Sequence, residues 1–215
     1  MSNLYIQVVE ELVVVCQKSY NIFFSNYKIR NDNSNQTAPI TYRSTKEIIL
    51  NCNPECASHI AFQLSHELCH ASIPGDVPCN LRWLEETFAV LASQYFPYKL
   101  FSVKRSKYKS FFDRSYLKLK PKCEINPGAL SGETIAFLES GSGTSNYNDY
   151  GSYLEIGKRI LPLVEEYPHF WKCVPYLYKI SPGLPLEKSF TEWKNSVPSN
   201  ISHLITVIES ALSCW

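Results

Sequence analysis

The chain has 215 residues, a formal net charge of +1, 45% apolar residues and 13% aromatic residues. This length and composition predict one domain, or one domain with a small helical extension, and a sizeable hydrophobic core. They exclude a wholly disordered chain. No apolar run reaches the roughly 18 residues of a membrane span. The N-terminus lacks the basic and apolar regions of a signal peptide, so we expect a cytoplasmic protein.

The eight cysteines are dispersed along the chain and include no C-x-x-C pair. In a chain without a secretion signal, we expect them to be reduced thiols that pack in the core. Four of them fall near the histidine motif described below: Cys52, Cys56, Cys69 and Cys79. Their grouping leaves open a second metal site or a redox switch in that region.

The first fifty residues predict a helix and then a strand. Apolar residues recur loosely at helical spacing over residues 4–27, which predicts a helix that covers the core. Residues 31–39 are polar and rich in Asn, as is typical of turns. Residues 40–51 are interpreted as a strand, because they end in the apolar run Ile48, Ile49 and Leu50.

A helix over residues 54–72 follows, with Asn53 as its cap and Pro54 at its first position. It contains His66-Glu67-Leu68-Cys69-His70, an H-E-x-x-H motif. Positions four apart lie on one face of a helix, so the neutral imidazoles of the two histidines can reach one metal ion. Glu67 lies beside them, where a general base that acts on water is expected.

A second helix is predicted over residues 80–96, closed by Pro97. The Pro- and Gly-containing residues 74–78 separate it from the first helix. Near its start, the segment W-L-E-E-T-F-A carries two carboxylates, Glu85 and Glu86. Because a catalytic zinc site usually takes three protein ligands, this segment can supply the third.

Together the two segments resemble the gluzincins, the thermolysin-like and zinc-aminopeptidase group of metallopeptidases. In the aminopeptidases a W-L-N-E-G-F-A-like segment on the next helix supplies a Glu ligand. Glu86 falls on that ligand position, while Glu85 replaces the Asn and Thr87 replaces the Gly. The other four residues of the segment match: Trp83, Leu84, Phe88 and Ala89. Fifteen residues separate His70 from Glu86, a slightly short spacing that implies a small version of the fold.

The resemblance implies a single α+β domain of zincin type over residues 1–215, predominantly helical, with a small mixed sheet beside the active-site helix. Residues 1–53 would form the N-terminal helix and sheet, residues 54–97 the metal-binding helix pair, and residues 98–215 a helical C-terminal part. It also implies that the strand ending at Leu50 is an edge strand bordering the cleft. An extended peptide could add to such an edge as a further strand.

The resemblance further implies a peptidase in which Zn²⁺ is held by His66, His70 and Glu86. An ion with these ligands would polarise a carbonyl and lower the pKa of a water toward about 7. Glu67 would take the proton of that water and pass it to the leaving amine. The aminopeptidase G-x-M-E-N segment is absent from the chain, which favours an endopeptidase or a narrow range of peptide or protein substrates. A latent state, with a terminal segment covering the cleft, stays open.

Three other acids are alternatives for the third metal ligand. Glu85 adjoins Glu86, but neighbouring helix positions point about 100° apart. Asp76 occupies the last position of the metzincin pattern H-E-x-x-H-x-x-G-x-x-H, although Ile73 stands where that pattern has Gly. Asp149 lies in a segment that echoes the aspzincin pattern G-T-x-D-x-x-Y-G, with one residue too many and the Asp misplaced.

Residues 99–122 form a basic block, with nine Lys or Arg against one acid, Asp113, and with interleaved aromatic residues. Such a segment can bind a nucleic-acid backbone and stack bases, or it can bind an acidic protein. A solvated helix face with buried aromatics is the favoured interpretation. The alternative function for the chain is a catalytically inactive zincin-fold binding module that acts through this block.

Tyr150 opens a predicted helix over residues 150–164, after a loop rich in Gly and Ser. In the zinc aminopeptidases a Tyr in a Y-x-K-G-like segment stabilises the oxyanion. Tyr150-Gly151-Ser152-Tyr153 resembles that segment loosely, so Tyr150 is the predicted oxyanion residue and Tyr147 the second choice. Ordinary aromatic packing is the alternative role for either side chain.

The remaining sequence predicts further helices. Residues 167–185 contain four prolines and predict short helices and turns. Residues 186–193 and 201–212 are interpreted as terminal helices. His169 and His203 have no ligand at metal-binding spacing nearby, so both are expected to be structural.

Overall fold

The computed structural model describes residues 3–32, 38–101, 134 and 150–212. This part of the chain is mostly helical with a three-stranded mixed sheet, which agrees with the predicted α+β class. Its helices are α1 (Asn3–Tyr20), α2 (Ala57–Ser72), α3 (Arg82–Phe101), α4 (Tyr150–Glu166), α5 (Leu186–Ser196) and α6 (His203–Leu212). Its strands are β1 (Lys28–Asn31), β2 (Ile40–Tyr42) and β3 (Glu47–Leu50). Short 3₁₀ helices cover Cys79–Leu81 and Phe170–Lys179.

The described residues form two compact units. The first unit contains α1, the sheet, α2 and the part of α3 from Leu91 onward. The second contains Ile73–Val90, which includes the start of α3, together with α4, α5 and α6. The predicted single domain over residues 1–215, with divisions after residues 53 and 97, stays a prediction. No helix in the described ranges is both long enough and apolar enough to cross a membrane.

Helix α1 is amphipathic and shorter than predicted. Its buried residues recur at helical spacing: Tyr5, Val8, Leu12, Cys16 and Tyr20. The helix ends at Tyr20 instead of residue 27 because Asn21 has a φ of 59°, in the left-handed region where Asn is tolerated and helices stop. The side chain of Gln17 then accepts a hydrogen bond from the backbone N–H of Phe24, which turns the chain away from the helix axis.

The sheet has the order β1-β3-β2, with β1 parallel and β2 antiparallel to β3. The single strand predicted over residues 40–51 is therefore two strands, joined by a turn that contains Lys46 at a φ of 54°. The prediction that the strand ending at Leu50 is an edge strand is wrong, because β3 pairs on both sides. The edges are β1 and β2, and the buried side chains of Ile48 and Leu50 explain why β3 is central.

Helix α2 starts at Ala57, three residues later than predicted. The side-chain Oδ1 of Asn53 accepts a hydrogen bond from the N–H of Glu55 at 2.9 Å, and its carbonyl accepts one from Cys56 at 3.0 Å. Asn53 therefore closes a turn before the helix instead of capping it. The apolar face of α2 packs on α1 and on strands β2 and β3.

Helix α3 runs through Pro97 to Phe101, so the prediction that Pro97 closes it is wrong. A proline inside a helix removes one backbone hydrogen bond and crowds the preceding turn. Burial of Phe96, Leu100 and Phe101 on either side offsets that cost. In the first unit, the ring of Phe96 lies 5.4 Å from that of Tyr20.

The second unit packs α4, α5 and α6 around aromatic side chains. Trp193 of α5 lies 5.9 Å from the rings of both Phe88 and Phe190, and Phe88 lies 5.8 Å from Phe170. The indole N–H of Trp193 donates to the carbonyl of Cys173 at 3.0 Å, so its one polar atom is satisfied. The three helices predicted here are present. Helices α4 and α5 end two and three residues later than predicted, and α6 begins two residues later.

Candidate metal centre

Helix α2 has a polar stripe on the face opposite its apolar one. His59, Gln63, His66 and His70 are spaced by four, three and four residues, which places them on one side of the helix. The stripe is half-buried except at His59, which is exposed. The opposite face holds the fully buried side chains of α2, among them Ile60, Leu64 and Leu68.

The two histidines of the motif point their Nε2 atoms at each other. The two atoms are 3.2 Å apart, and the ring planes are inclined by 69°. A tetrahedral metal with bonds of about 2.0–2.1 Å separates two nitrogen ligands by about 3.4 Å. The distance between His66 and His70 therefore suits two ligands of one ion.

Glu86 completes the group from helix α3. A carboxylate oxygen of Glu86 and one ring nitrogen of each histidine all lie within 4.8 Å of one another, and all three residues are half-buried. Two imidazoles and one carboxylate make a donor set that binds divalent metals. The His66, His70 and Glu86 group could thus hold a metal ion.

Two of the three alternative ligands, Glu85 and Asp76, are not part of this group. Glu85 is 6% exposed and Asp76 is exposed, and neither belongs to the metal-compatible cluster found among the described residues. Asp149 lies outside the described residues. The cysteines near the motif also contribute to no such cluster in the described part of the chain, so a second metal site there gains no support.

Glu67 is buried beside the two histidines, with an exposed fraction of 3%. The hydroxyl of Thr41, the middle residue of strand β2, lies 2.8 Å from Glu67 Oε2 and 3.0 Å from the Glu67 carbonyl oxygen. A buried carboxylate is costly without such a donor. Within the described residues, Glu67 Oε1 has no hydrogen-bond partner, so one carboxylate oxygen is held and the other is available.

The C-terminal end of α2 is capped by side chains from the neighbouring strands and turns. Arg43 Nε donates to the carbonyl of His70 at 3.0 Å, and the hydroxyl of Tyr27 donates to the carbonyl of Ala71 at 3.2 Å. The last carbonyls of a helix have no partner within it, and a cation there also interacts favourably with the helix dipole. These contacts hold the backbone of the second histidine in place.

The middle of α2 is held by Gln63. Its side-chain oxygen accepts from the N–H of Asn51 at 2.9 Å, and its nitrogen donates to the carbonyl of Asn51 at 2.8 Å. His59 Nε2 lies 3.1 Å from Gln63 Nε2, and His59 Nδ1 accepts from the N–H of Asn53. His59 is thus part of the junction between β3 and α2 and not of the metal-compatible group.

Sequence patterns did not identify Thr41, Arg43 or Gln63 as members of this site. One signal for Thr41 existed, because a polar residue between Ile40 and Tyr42 alternates with apolar neighbours in a strand. Its contact with Glu67 depends on which strand lies beside α2, and the sequence around Thr41 does not predict that arrangement. A signal for Gln63 also existed, because its spacing from the histidines places it on the polar stripe of α2.

The six described cysteines form no disulfide with one another: Cys16, Cys52, Cys56, Cys69, Cys79 and Cys173. Four of them are buried, as expected of thiols that pack in the core, whereas Cys56 is half-buried and Cys79 is exposed. Burial raises the pKa of the Cys52 thiol to about 12, with Cys56 nearby adding to the shift. Burial also raises the pKa of the Cys173 thiol to about 12. These thiols are inert core groups at neutral pH.

Several predicted functional residues lie outside the described part of the chain. Tyr147 and residues 102–122 of the basic block are among them. Tyr150 is the first residue of α4, but its side chain is not described. The predicted oxyanion and nucleic-acid or acidic-protein contacts therefore stay predictions.

Comparison of the chain with models of known protein families, with curated proteins and with solved structures found no match. The resemblance to the gluzincins therefore rests on the two sequence segments alone. The clustering of His66, His70 and Glu86 is an observation that is independent of that resemblance.

Proposed function

We propose that this protein is a zinc-dependent peptidase with a fold of zincin type and a metal site of the gluzincin kind. The observation that carries the proposal is the convergence of His66, His70 and Glu86, whose ligand atoms lie within 4.8 Å of one another. A purely structural metal site has no need of the fourth residue, Glu67. Its buried carboxylate adjoins the ligands, where a general base is useful.

The donor set suits zinc better than it suits magnesium or calcium. Imidazole nitrogen suits zinc, copper, iron and nickel, whereas magnesium and calcium prefer sites built from oxygen alone. Two His and one Glu are the ligands of a well-known class of catalytic zinc site, which keeps one position open. Structural zinc sites, in contrast, usually have four protein ligands that are rich in cysteine.

The chain's own residues supply positioning and proton transfer. When bound, zinc would polarise the scissile carbonyl and make water more acidic. Glu67 Oε1 takes a proton from the attacking water, whose oxygen bonds to the carbonyl carbon, while Thr41 holds Oε2. Glu67 then gives that proton to the leaving amine as the C–N bond breaks. Such transfer typically contributes about 10² to 10⁴ in rate. Tyr150 is proposed to donate a hydrogen bond to the oxyanion. The proposed substrate is a peptide or protein, and the proposed location is the cytoplasm.

The test is the zinc content of three proteins purified side by side without chelator: wild type, Glu86→Gln and Glu85→Gln. Each substitution keeps the side-chain volume and removes one carboxylate, so the adjacent positions act as matched controls for each other. We expect about one zinc per chain in the wild type and in Glu85→Gln, with clear loss in Glu86→Gln. A library of fluorescence-quenched peptides then detects hydrolysis by the zinc-loaded wild type.

Other results redirect the proposal. Loss of zinc in Glu85→Gln but not in Glu86→Gln would make Glu85 the third ligand. A wild type that stays free of zinc after the metal is supplied would overturn the proposal. The binding-module alternative through residues 99–122 would then be tested by nucleic-acid affinity, which should fall steeply with salt.

A further inference from the structure

Strand β2 presents one side chain to helix α2 and two away from it. Thr41 pairs with Ile48 in the antiparallel register, and cross-strand partners point to the same face of a sheet. Ile48 is fully buried, whereas Ile40 and Tyr42 are 40% and 44% exposed. The alternation therefore directs Thr41 toward the helix that carries the histidine motif.

The Thr41 hydroxyl contacts Glu67 at two points. It lies 2.8 Å from Oε2 and 3.0 Å from the backbone carbonyl of the same residue. A hydroxyl carries a single proton to donate, and a bond to an ionised carboxylate is stronger than a bond to a neutral carbonyl. The Thr41 side chain therefore holds the Glu67 carboxylate in a defined position relative to the Glu67 backbone and to strand β2.

A second contact from the same stretch holds the helix one turn later. Arg43 follows β2 directly and donates to the His70 carbonyl at 3.0 Å. The stretch from Thr41 to Arg43 therefore restrains α2 at the residue proposed as general base and at the second histidine. Arg43 contacts the backbone of the helix at His70, whereas Thr41 contacts the side chain of Glu67, which has a proposed chemical role.

The geometry points to Thr41 as the positioning residue of Glu67. It fixes Oε2 of the carboxylate and leaves Oε1 to transfer the proton. This inference rests on the proposed function, because positioning matters for rate only if Glu67 acts on substrate. Thr41 touches neither substrate nor metal in this role, so it is not a catalytic residue.

The test compares Thr41→Val, Thr41→Ser and Thr45→Val. Valine has the shape of threonine without the hydroxyl, and serine keeps the hydroxyl. Thr45 is an exposed threonine in the turn between β2 and β3, so Thr45→Val is the matched control. For each zinc-loaded protein, one measures zinc content, the midpoint of urea unfolding, and kcat and KM on the peptide that the wild type cleaves fastest.

We expect Thr41→Val to lower kcat by about 10- to 100-fold, since misplacing a reacting group by about 1 Å can cost 10²-fold. KM and zinc content should stay within about twofold of the Thr45→Val values. Thr41→Ser should recover kcat to within about threefold of the wild type. Unchanged kcat in Thr41→Val, or a loss that serine does not restore, would overturn the inference. Loss of zinc in step with kcat would also overturn it, because the role would then be structural.

A separate measurement distinguishes failure of this inference from failure of the proposed function. If the zinc-loaded wild type cleaves no peptide, the peptidase proposal fails first. The Thr41–Glu67 contact is then tested by unfolding of Thr41→Val, Glu67→Gln and the double variant. Non-additive shifts of the urea midpoint would support the contact, and additive shifts would contradict it.

Discussion

Glu67 in the first unit and Trp193 in the second are held in place by different interactions. Around Glu67, helix α2 is restrained by directional hydrogen bonds from Thr41, Arg43 and Gln63. Around Trp193, the rings of Phe88 and Phe190 pack at 5.9 Å, and one hydrogen bond satisfies the indole.

The difference shows that the interactions that position a side chain can be distinct from those that contribute most to the stability of the fold. A typical hydrogen bond contributes only about 0.5–1.5 kcal/mol to stability, but it defines where an atom lies to within tenths of an ångström. Burial of a large aromatic ring contributes several kcal/mol with little demand on direction. Substitutions near Glu67 should therefore change activity more than stability, and substitutions near Trp193 should do the reverse.

The largest effect is expected from Glu67→Gln. The amide cannot accept the proton, so the proposed hydrolysis by the zinc-loaded protein should fall by about 10² to 10⁴ while zinc content stays at the wild-type level. The measurement is kcat/KM together with elemental analysis. Glu55→Gln, an exposed carboxylate in the turn before α2, is the control and should be unchanged. Full hydrolysis by Glu67→Gln would remove the general-base assignment.

Trp193→Ala should be the most destabilising of the substitutions proposed for the second unit. It removes a fully buried ring and one satisfied hydrogen bond, so we expect a loss of about 3–5 kcal/mol in the free energy of unfolding. Urea denaturation measures the loss. Phe23→Ala is the control, because Phe23 is 84% exposed and its removal should change stability by less than about 0.5 kcal/mol. Similar losses in both variants would contradict the packing argument.

Gly75→Ala tests the second unit at a close contact. A Cβ at Gly75 would lie 2.8 Å from Cδ2 of Tyr178, closer than side-chain atoms approach. We expect a loss of about 1–3 kcal/mol, which the second substitution Tyr178→Ala should relieve. Gly151→Ala in α4 is the control, since nothing lies within 4 Å of its Cβ position. There the helical preference of Ala should stabilise the protein by up to about 1 kcal/mol.

A loss of stability is also expected at alkaline pH, with no substitution in the chain. The pKa of Cys173 is raised by burial to about 12 in the folded protein, whereas an unfolded cysteine ionises near about 8.5. The unfolded state therefore loses its proton first, and stability present below pH ~8.5 should decline as the pH rises toward 12. The slope approaches about 1.4 kcal/mol per pH unit for one thiol.

Unfolding free energies at pH 8 and pH 10 measure that decline. Cys173→Ala should show a smaller difference between the two pH values than the wild type. Cys79→Ala is the control, because Cys79 is exposed. An equal pH dependence in the wild type and in Cys173→Ala would show that this thiol does not contribute.

The parts of the fold that were predicted correctly depend on local periodicity. The core face of α1 and the presence of α2, α3, α4, α5 and α6 follow from apolar residues at helical spacing. Their ends were less accurate, because an end depends on single residues in context. Asn21 stopped α1 early, Asn53 closed a turn before α2, and Pro97 was accommodated inside α3 by the burial of its neighbours.

The placement of His66 and His70 on one face follows from their spacing alone, because a four-residue separation on a helix has that result whatever surrounds it. The central place of β3, the position of β2 beside α2 and the contact of Thr41 with Glu67 depend on how the chain packs. That packing also brings Glu86 within reach of both histidines. Strand order and the approach of Glu86 to the histidines involve residues that are distant in sequence, and no local pattern predicts them.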